Sequence, residues 1–362
     1  MIPTFPLAFR IAAAVAILVT IGAAFTLDYP PIDVVQRGYR GVGMNENYNP
    51  RLLARQEEAN IVPAELPLAS PAGPKAGEVY HNVRVLGDLS VGQFTRVMAT
   101  ITNWVAPKQG CAYCHAGANL ASDALYTKVV SRRMLQMTRH INADWQTHVQ
   151  NVGVTCWTCH RGNSVPSEIW FTDPGPPHAG GVAQDWSGKN HPAAAINDTS
   201  LPADPFTPFL LHDAQIRIQS ETALPTNDYA SIKQTDWTYA LMIHFSQALG
   251  LNCTYCHNSR EWRDWSQSTP QRVTAWYGIR MVRNLNNAYL QSIADVFPAN
   301  RLGPTGDVPK INCATCHQGA FKPLYGADVL KDNPELAGPS PETLHSAATA
   351  PASTAVAATS PQ

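Results

Sequence analysis

The sequence predicts a mainly α-helical fold with much irregular loop, and two observations carry that prediction. Apolar residues recur at intervals of three and four in four separate stretches, and each stretch precedes one copy of the pattern Cys-x-x-Cys-His. The segments around these units are rich in proline and glycine, of which the 362-residue chain contains 29 and 23. We therefore expect four units, each made of a helix, a turn and one Cys-x-x-Cys-His motif.

The four motifs use all eight cysteines of the chain. They consist of Cys111, Cys114 and His115; Cys156, Cys159 and His160; Cys253, Cys256 and His257; and Cys313, Cys316 and His317. In each motif two thiols can bond to the vinyl groups of one porphyrin while the adjacent histidine binds its iron. A zinc knuckle or a redox dithiol explains one isolated copy, and a disulfide framework leaves the four histidines unexplained. The pattern predicts a multihaem cytochrome c with four covalently attached c-type haems.

The motifs fall into two pairs. Their first cysteines are 45 residues apart in the first pair, 60 in the second and 97 between the pairs, which favours duplication of a two-haem module. The expected divisions are an N-terminal membrane anchor or signal (1–27), an extended partner-contact segment (28–86), a first two-haem module (87–162), a Pro/Gly-rich connector (163–234), a second two-haem module (235–325) and a low-complexity, disordered tail (326–362).

Start and stop signals place the four helices. The first expected helix begins after a capping box of Ser90 and Gln93 and ends before Pro107, and the second runs over about 122–149. The third runs over 236–249 and stops at Gly250. The fourth begins with Thr269 as N-cap and Pro270 in the first turn.

The N-terminus predicts export. Arg10 precedes an uncharged run from Ile11 to Leu27, which is long enough for a membrane span. We favour a retained anchor, while cleavage near Gly22 remains the alternative. No cysteine precedes Cys111, so a lipid-modified N-terminal cysteine is not expected. Thioether attachment of haem is expected outside the bacterial inner membrane, which places the bulk of the chain in the periplasm. A net charge of -1 with 15% charged residues gives no sign of a nucleic-acid partner.

Methionine placement predicts the sixth iron ligands. Met98 lies 13 residues before Cys111 and Met242 lies 11 before Cys253, each on the helix of its own unit. For the second haem the candidates are Met134 and Met137. A methionine on an apolar helical face usually packs in a core, but five of the six methionines after the initiator lie on these helices. Ligation is therefore the better interpretation.

If Met134 is the ligand of the second haem, the fourth haem lacks an equivalent methionine. Residues 134–142 align with residues 278–286, so that Met137 pairs with Met281 and Met134 pairs with Gly278. The preferred ligand is His148, about 21 Å beyond Met134 along an unbroken helix, and Met281 and His140 are its rivals. Three His/Met haems and one His/His haem are expected, with the His/His haem at lower potential. Arg260 and Arg272 are candidates for holding haem propionates or raising the potential of the third haem, and an ordinary surface position is the alternative for both.

Several runs resemble the tetrahaem cytochrome c subunit of the purple-bacterial photosynthetic reaction centre. They are Met98-Ala-Thr-Ile-Thr-Asn-Trp-Val, Arg132-Arg-Met134-Leu-Gln-Met137-Thr-Arg and Cys253-Thr-Tyr-Cys256-His257-Asn-Ser-Arg260-Glu-Trp262. The resemblance covers about residues 30–325, including the arm at Gly38. It implies Met98, Met134 and Met242 as sixth ligands of the first three haems and His148 as that of the fourth.

The resemblance also implies the partners. They are the reaction-centre L and M subunits with their bacteriochlorophyll special pair, and a soluble cytochrome c or high-potential iron-sulfur protein as electron donor. The haem at His257 is expected nearest the special pair and the haem at His115 at the far end. Many relatives carry a lipidated cysteine, which this chain lacks. A membrane-anchored quinol dehydrogenase and a multihaem reductase with one open iron site are the alternatives, and the spaced methionines argue against the first.

Overall fold

The computed structural model describes residues 6–26, 33–36, 43–173, 193–218 and 232–338. Within these residues the α-helices are α1 Leu7–Thr26, α2 Pro50–Ala59, α3 Ala76–Val79, α4 Val91–Val105, α5 Tyr126–Asp144, α6 Gln146–Val149, α7 Cys156–His160, α8 Ile232–Leu249, α9 Pro270–Leu285, α10 Cys313–His317 and α11 Val329–Asp332. The strands are β1 Asp33–Gln36, β2 Asn45–Tyr48, β3 Ile169–Trp170 and β4 Lys310–Ile311, and they form the antiparallel pairs β1–β2 and β3–β4. The prediction of a mainly α fold with much loop is confirmed.

The predicted capping residues mark the start of α4, the start of α9 and the end of α8, whereas α8 begins at Ile232, four residues before the predicted start at Asp236. Ser90 and Gln93 exchange both hydrogen bonds of the capping box at the start of α4. Pro270 occupies the first turn of α9, where its missing N–H costs nothing. Gly250 follows α8 with a φ of +64°, a left-handed conformation that favours glycine.

The prediction of one unbroken helix over 122–149 is wrong. The helix breaks at Trp145, whose φ of −113° and ψ of 29° are not helical. The Trp145 side chain donates from Nε1 to His140 Nε2 at 3.2 Å, which ties it back to α5. The break lets α6 leave the α5 axis and pack against α9, so His148 comes to lie against the second half of the chain.

Helix α1 is long and apolar enough to cross a membrane. A signal sequence has the same length and composition, so the anchor and the signal are both compatible with this helix.

Two apolar clusters form the interior. The larger one takes residues from both predicted modules and from the connector: Ile141, Val154, Trp170, Phe206, Leu210, Ile279, Met281, Val282, Leu285, Tyr289, Leu290, Val308 and Ile311. The smaller one lies in the first module: Val85, Leu86, Leu89, Val97, Trp104, Leu135 and Leu336. Trp170, Phe206 and Leu210 show that the connector supplies core residues where the structure describes it, so the two modules share one interior.

The predicted tail begins too early at residue 326. Helix α11 and a turn at Pro334–Leu336 pack against the first module, where Leu336 is buried. The Glu335 carboxylate forms a buried ion pair with Arg96, 3.1 Å from Nη1. Val329, Leu330 and Leu336 supply the apolar contacts of this stretch. Residues 339–362 lie outside the described residues.

The segment predicted to contact a partner contacts this chain's own motifs. The Met44 amide donates to Thr254 Oγ1 at 2.8 Å, inside the third motif. Gln56 on α2 donates to the Gly319 carbonyl, beside the fourth motif. The Ile61 carbonyl accepts from Nε1 of Trp157, inside the second motif, at 3.1 Å. Residues 44–61 therefore run along three of the four motifs. The predicted arm at Gly38 lies outside the described residues.

We expect Lys310→Met to destabilise the fold by about 3 kcal/mol, because it leaves the carboxylate of Asp307 without its cation. Lys310 is fully buried, forms an ion pair with Asp307 and lies 4.3 Å from the Trp170 ring centroid. Burial alone would raise the pKa of Asp307, but hydrogen bonds from Lys310, the Thr172 amide and Thr305 hold it at about 2. The measurement is the guanidinium midpoint followed by tryptophan fluorescence. Lys331→Met on the exposed side of α11 is the control, and equal midpoints for the two variants would contradict the expectation.

Candidate haem centres

The four motif histidines share one hydrogen-bonding arrangement. In each, Nδ1 lies within hydrogen-bond distance of a backbone carbonyl: His115 with Leu120 at 2.9 Å, His160 with Asn163 at 2.8 Å, His257 with Trp262 at 2.9 Å and His317 with Ala320 at 2.9 Å. Because a carbonyl only accepts, Nδ1 carries the proton and Nε2 keeps its lone pair. This tautomer is the one that binds a metal through Nε2, so all four motifs fit haem iron.

The motifs are of two local kinds. The second and fourth are short α-helices, α7 and α10, which begin with the caps Thr155 and Asn312. The first and third adopt 3₁₀ turns over Gly110–Tyr113 and Cys253–Tyr255. In the two helical motifs the carbonyl that accepts from the histidine lies three residues after it. In the two 3₁₀ motifs that carbonyl lies five residues after the histidine.

Hydrogen bonds around the motifs also occur in matching pairs. Asn142 bonds through its side chain to both the amide and the carbonyl of Val154, and Asn286 does the same to Ile311. The Thr127 hydroxyl donates to the Tyr113 carbonyl, and the Thr269 hydroxyl donates in the same way to the Tyr255 carbonyl. The Gly162 amide donates to the Trp104 carbonyl, and the Gly319 amide donates in the same way to the Ala248 carbonyl. Sequence reasoning missed these asparagines, although both end the aligned segments 134–142 and 278–286.

His148 and His317 face each other. Their ring centroids are 6.1 Å apart, which is about the separation of two imidazoles that bind opposite faces of one metal ion at roughly 2 Å each. The Nδ1 of His148 lies 2.9 Å from the Thr274 carbonyl, so its Nε2 also keeps the lone pair. Burial lowers the pKa of both imidazoles, and His317 reaches about 4. Both side chains are therefore neutral, as ligands must be.

Gly278 makes room for His148. A Cβ atom at position 278 would lie 2.6 Å from Cε1 of His148, which is closer than any real contact. The rival ligands are engaged elsewhere. His140 has Asp144 Oδ2 2.6 Å from Nδ1 and Asn284 Oδ1 3.0 Å from Nε2, and Met281 is buried in the larger apolar cluster. The geometry therefore favours His148 for the fourth centre.

The same comparison separates Met134 from Met137. On α9, position 278 faces an imidazole of the fourth centre, whereas position 281 points into the apolar core. Met134 aligns with position 278 and Met137 with position 281. By this correspondence Met134, rather than Met137, is the expected ligand of the second centre, and both methionines pack against the larger apolar cluster. Met98 lies half-buried against the smaller cluster, and Met242 lies half-buried on α8.

The second and fourth motifs lie side by side. The Cα atoms of Cys159 and Cys316 are 4.5 Å apart, and the two sulfurs are bonded to each other. Gln318 donates from Nε2 to the Cys159 carbonyl at 3.1 Å across the same contact. A sulfur in a disulfide cannot also bond to a porphyrin vinyl group, so the two assignments for this pair exclude each other. The other six cysteines are free.

Helix contacts arrange the four motifs in a row. Helix α4, which precedes the first motif, packs against α7; α7 packs against α10; and α10 packs against α8, which precedes the third motif. These contacts link the four units in the order first, second, fourth, third. Among the described residues no group of three or more His, Cys, Asp or Glu side chains is placed to hold a metal ion.

Arg272, unlike Arg260, lies against the third motif. Its guanidinium stacks on Trp265 at 4.0 Å and donates to Ser268 Oγ at 2.7 Å. Burial lowers the pKa of Arg272, while the nearby Cys256 opposes that shift. Arg260 is exposed.

Comparison with known proteins identifies the family. The family described as "Photosynthetic reaction centre cytochrome C subunit" matches residues 28–337. The photosynthetic reaction center cytochrome c subunit of Rubrivivax gelatinosus is 56% identical over 308 residues, covering 85% of this chain and 84% of that protein. The subunit of Thermochromatium tepidum is 52% identical, covering 85% and 76%, and that of Roseobacter denitrificans is 42% identical, covering 84% and 85%. The chain therefore belongs to the photosynthetic reaction-centre cytochrome c subunit family, whose members carry covalently bound haem, associate with the reaction centre at the membrane and act as electron carriers rather than enzymes.

Proposed function

We propose that this chain re-reduces the photo-oxidised bacteriochlorophyll special pair of a reaction centre, with electrons that it takes from a soluble periplasmic donor. When bound, the haems supply the one-electron redox chemistry, and the protein supplies position and potential. The observation that carries the proposal is the row of four motif histidines, each with Nε2 free for iron. The relatives' names supply the partner, a photosynthetic reaction centre.

The proposed centres are three His/Met sites and one His/His site. Met98 with His115, Met134 with His160, and Met242 with His257 serve the first three, and His148 with His317 serves the fourth. The cysteines of each motif hold the porphyrin covalently. The matched hydrogen bonds of Asn142 and Asn286 support a duplicated two-haem module.

The tether to α1 supports an orientation with the third motif nearest the membrane. If α1 is the anchor, the chain leaves the bilayer at Thr26 and reaches β1 seven residues later. Strand β2 pairs antiparallel with β1, and the Met44 amide donates a hydrogen bond to Thr254 inside the third motif. With the hairpin folded, this path spans at most about 40 Å. Its length agrees with the expectation that the haem at His257 lies nearest the special pair.

Exposed aromatic residues surround that end of the row. Trp262, Trp265 and Trp276 are each more than one-third exposed. Tryptophan is enriched in protein interfaces, so this surface suits docking on the periplasmic face of the L and M subunits. The first motif, at the opposite end, is left for the soluble cytochrome c or high-potential iron-sulfur donor. We place the body of the protein in the periplasm, held at the inner membrane by α1.

Flash-induced absorbance in native membranes tests the function. After photo-oxidation of the special pair, rapid haem oxidation should persist in membranes washed free of soluble cytochromes. Absence of light-driven haem oxidation, in membranes shown to contain the protein, would overturn the proposal and favour the respiratory alternatives. Rapid binding of carbon monoxide to one ferrous haem would then indicate a reductase with an open iron site.

Arg272→Leu should lower the potential of the third haem by about 50 to 100 mV, because a positive charge destabilises the ferric state. A unit charge at about 10 Å with an effective dielectric constant of about 20 is worth roughly 1 to 2 kcal/mol. Redox titration of the α bands measures the shift. Arg260→Leu is the control, and its shift should be smaller because water screens the exposed Arg260 side chain. Equal shifts of the third-haem potential in the two variants would contradict the expectation that Arg272 raises this potential more than Arg260 does.

A further inference from the structure

His244 on α8 is a buried histidine whose ring nitrogens have no hydrogen-bond partner of good geometry among the described residues. Its side chain is 3% exposed, and neither ring nitrogen has a hydrogen-bond partner among the described residues. The Ala195 backbone approaches the ring without reaching hydrogen-bond geometry. Phe206 packs edge-on against the imidazole at 4.6 Å between centroids. Buried polar atoms in folded proteins nearly always have a partner, so one is expected here.

The position of His244 on α8 directs it toward the fourth centre. It follows Met242 by two residues, which places it about 200° round the helix from that proposed ligand of the third haem. Helix α8 packs against α10, which carries His317, and the imidazoles of His244 and His317 interact electrostatically. His244 therefore lies between the third and fourth centres, on the side of the fourth.

We propose that His244 donates a hydrogen bond from its ring N–H to a propionate group of the haem at the fourth centre. A porphyrin is apolar over most of its surface and brings two carboxylates at its edge, so a propionate is the acceptor that this chemistry supplies. The inference rests on the proposed haem at His317, but it needs neither the reaction centre nor the soluble donor. The hydrogen bond would disperse the negative charge of the carboxylate, which otherwise stabilises ferric iron, and so raise the potential of the fourth haem.

The test compares three variants of the full-length protein in its complex. His244→Phe removes the donor and keeps an aromatic ring, His244→Gln keeps an N–H, and Phe206→Leu alters the packing without touching the donor. We expect His244→Phe to lower the midpoint potential of the fourth haem alone. The equilibrium constant for reduction of that haem should fall by about threefold to tenfold. His244→Gln should restore much of the potential, and Phe206→Leu should leave it unchanged. Haem content by pyridine haemochrome comes first, since only variants with four haems are compared.

Infrared difference spectra of the unmodified complex give a second reading. On reduction, a carboxylate band of the propionate should change together with an imidazole band that shifts on [15N]histidine labelling, and the imidazole band should be missing in His244→Gln. An unchanged fourth-haem potential in His244→Phe, an equal shift in Phe206→Leu, a shift in the third haem instead, or the absence of the coupled bands would overturn the proposal. Equilibrium titration needs no light, so failure here is distinct from failure of the flash experiment.

Discussion

Gly278→Ala is expected to remove the sixth ligand of the fourth haem. The new Cβ would meet Cε1 of His148 at 2.6 Å, and the hydrogen bond from Nδ1 to the Thr274 carbonyl fixes the ring against the same helix. Helix α6 must move away, and Nε2 moves with it. The ferrous fourth haem should then bind carbon monoxide rapidly, whereas in the unmodified protein all four haems are expected to be six-coordinate and to bind it slowly.

Gly92→Ala is the matched control for this experiment. Gly92 also lies in a helix, α4, but a Cβ there meets nothing closer than 3.7 Å, an ordinary contact. The control should keep four six-coordinate haems. Slow binding of carbon monoxide in both variants would mean that His148 does not ligate the fourth haem.

His148→Met tests the same assignment by potential. Thioether sulfur favours ferrous iron more than imidazole does, so a methionine that reaches the iron should raise the potential of the fourth haem by on the order of 100 mV. The other three midpoints should stay in place. An unchanged low-potential haem in redox titration would contradict the assignment of His148.

Local signals in the sequence were sufficient for the helices and the motifs. A cap such as Ser90 with Gln93 acts within four residues, and a Cys-x-x-Cys-His pattern contains its own chemistry, so neither depends on distant contacts. The alignment of Met134 with Gly278 also needs only the sequence. What it cannot show is that position 278 faces His148, because that contact joins two helices more than 100 residues apart in the chain.

The differences between sequence and structure arise from contacts between distant segments. Helix α5 ends at Trp145 because the Trp145 indole donates a hydrogen bond to His140 and because α6 packs against α9. The stretch after residue 326 folds because Arg96, on α4, supplies a buried cation for Glu335. Composition describes a segment by itself, and the partners of these segments lie elsewhere in the chain.

Cys159 and Cys316 are expected to resist alkylation in the mature protein, both before and after reduction, like the other six cysteines. The motif chemistry assigns each sulfur to its own haem, whereas the bond between the two sulfurs in the structure leaves each haem with a single attachment. Peptide mass spectrometry after reduction and alkylation distinguishes these arrangements. Alkylation of Cys159 and Cys316 alone, and only after reduction, would establish the disulfide.

The variant Cys316→Ser sharpens the comparison because it removes only one of the two sulfurs. If each motif binds its own haem, the fourth haem keeps one thioether at Cys313, its pyridine haemochrome band shifts to longer wavelength, and Cys159 stays protected. If the disulfide is the mature state, the substitution releases Cys159 as a thiol that alkylates without reduction. Cys256→Ser in the third motif is the matched control, since Cys256 is free in the structure and its loss exposes no other sulfur.

The Cα atoms of Cys159 and Cys316 are 4.5 Å apart. This distance places the second and fourth motifs next to each other, whether the two sulfurs bond to each other or to haem. In the proposed arrangement, this adjacency brings the fourth unit beside the second and leaves the third unit at one end, where Met44 contacts it.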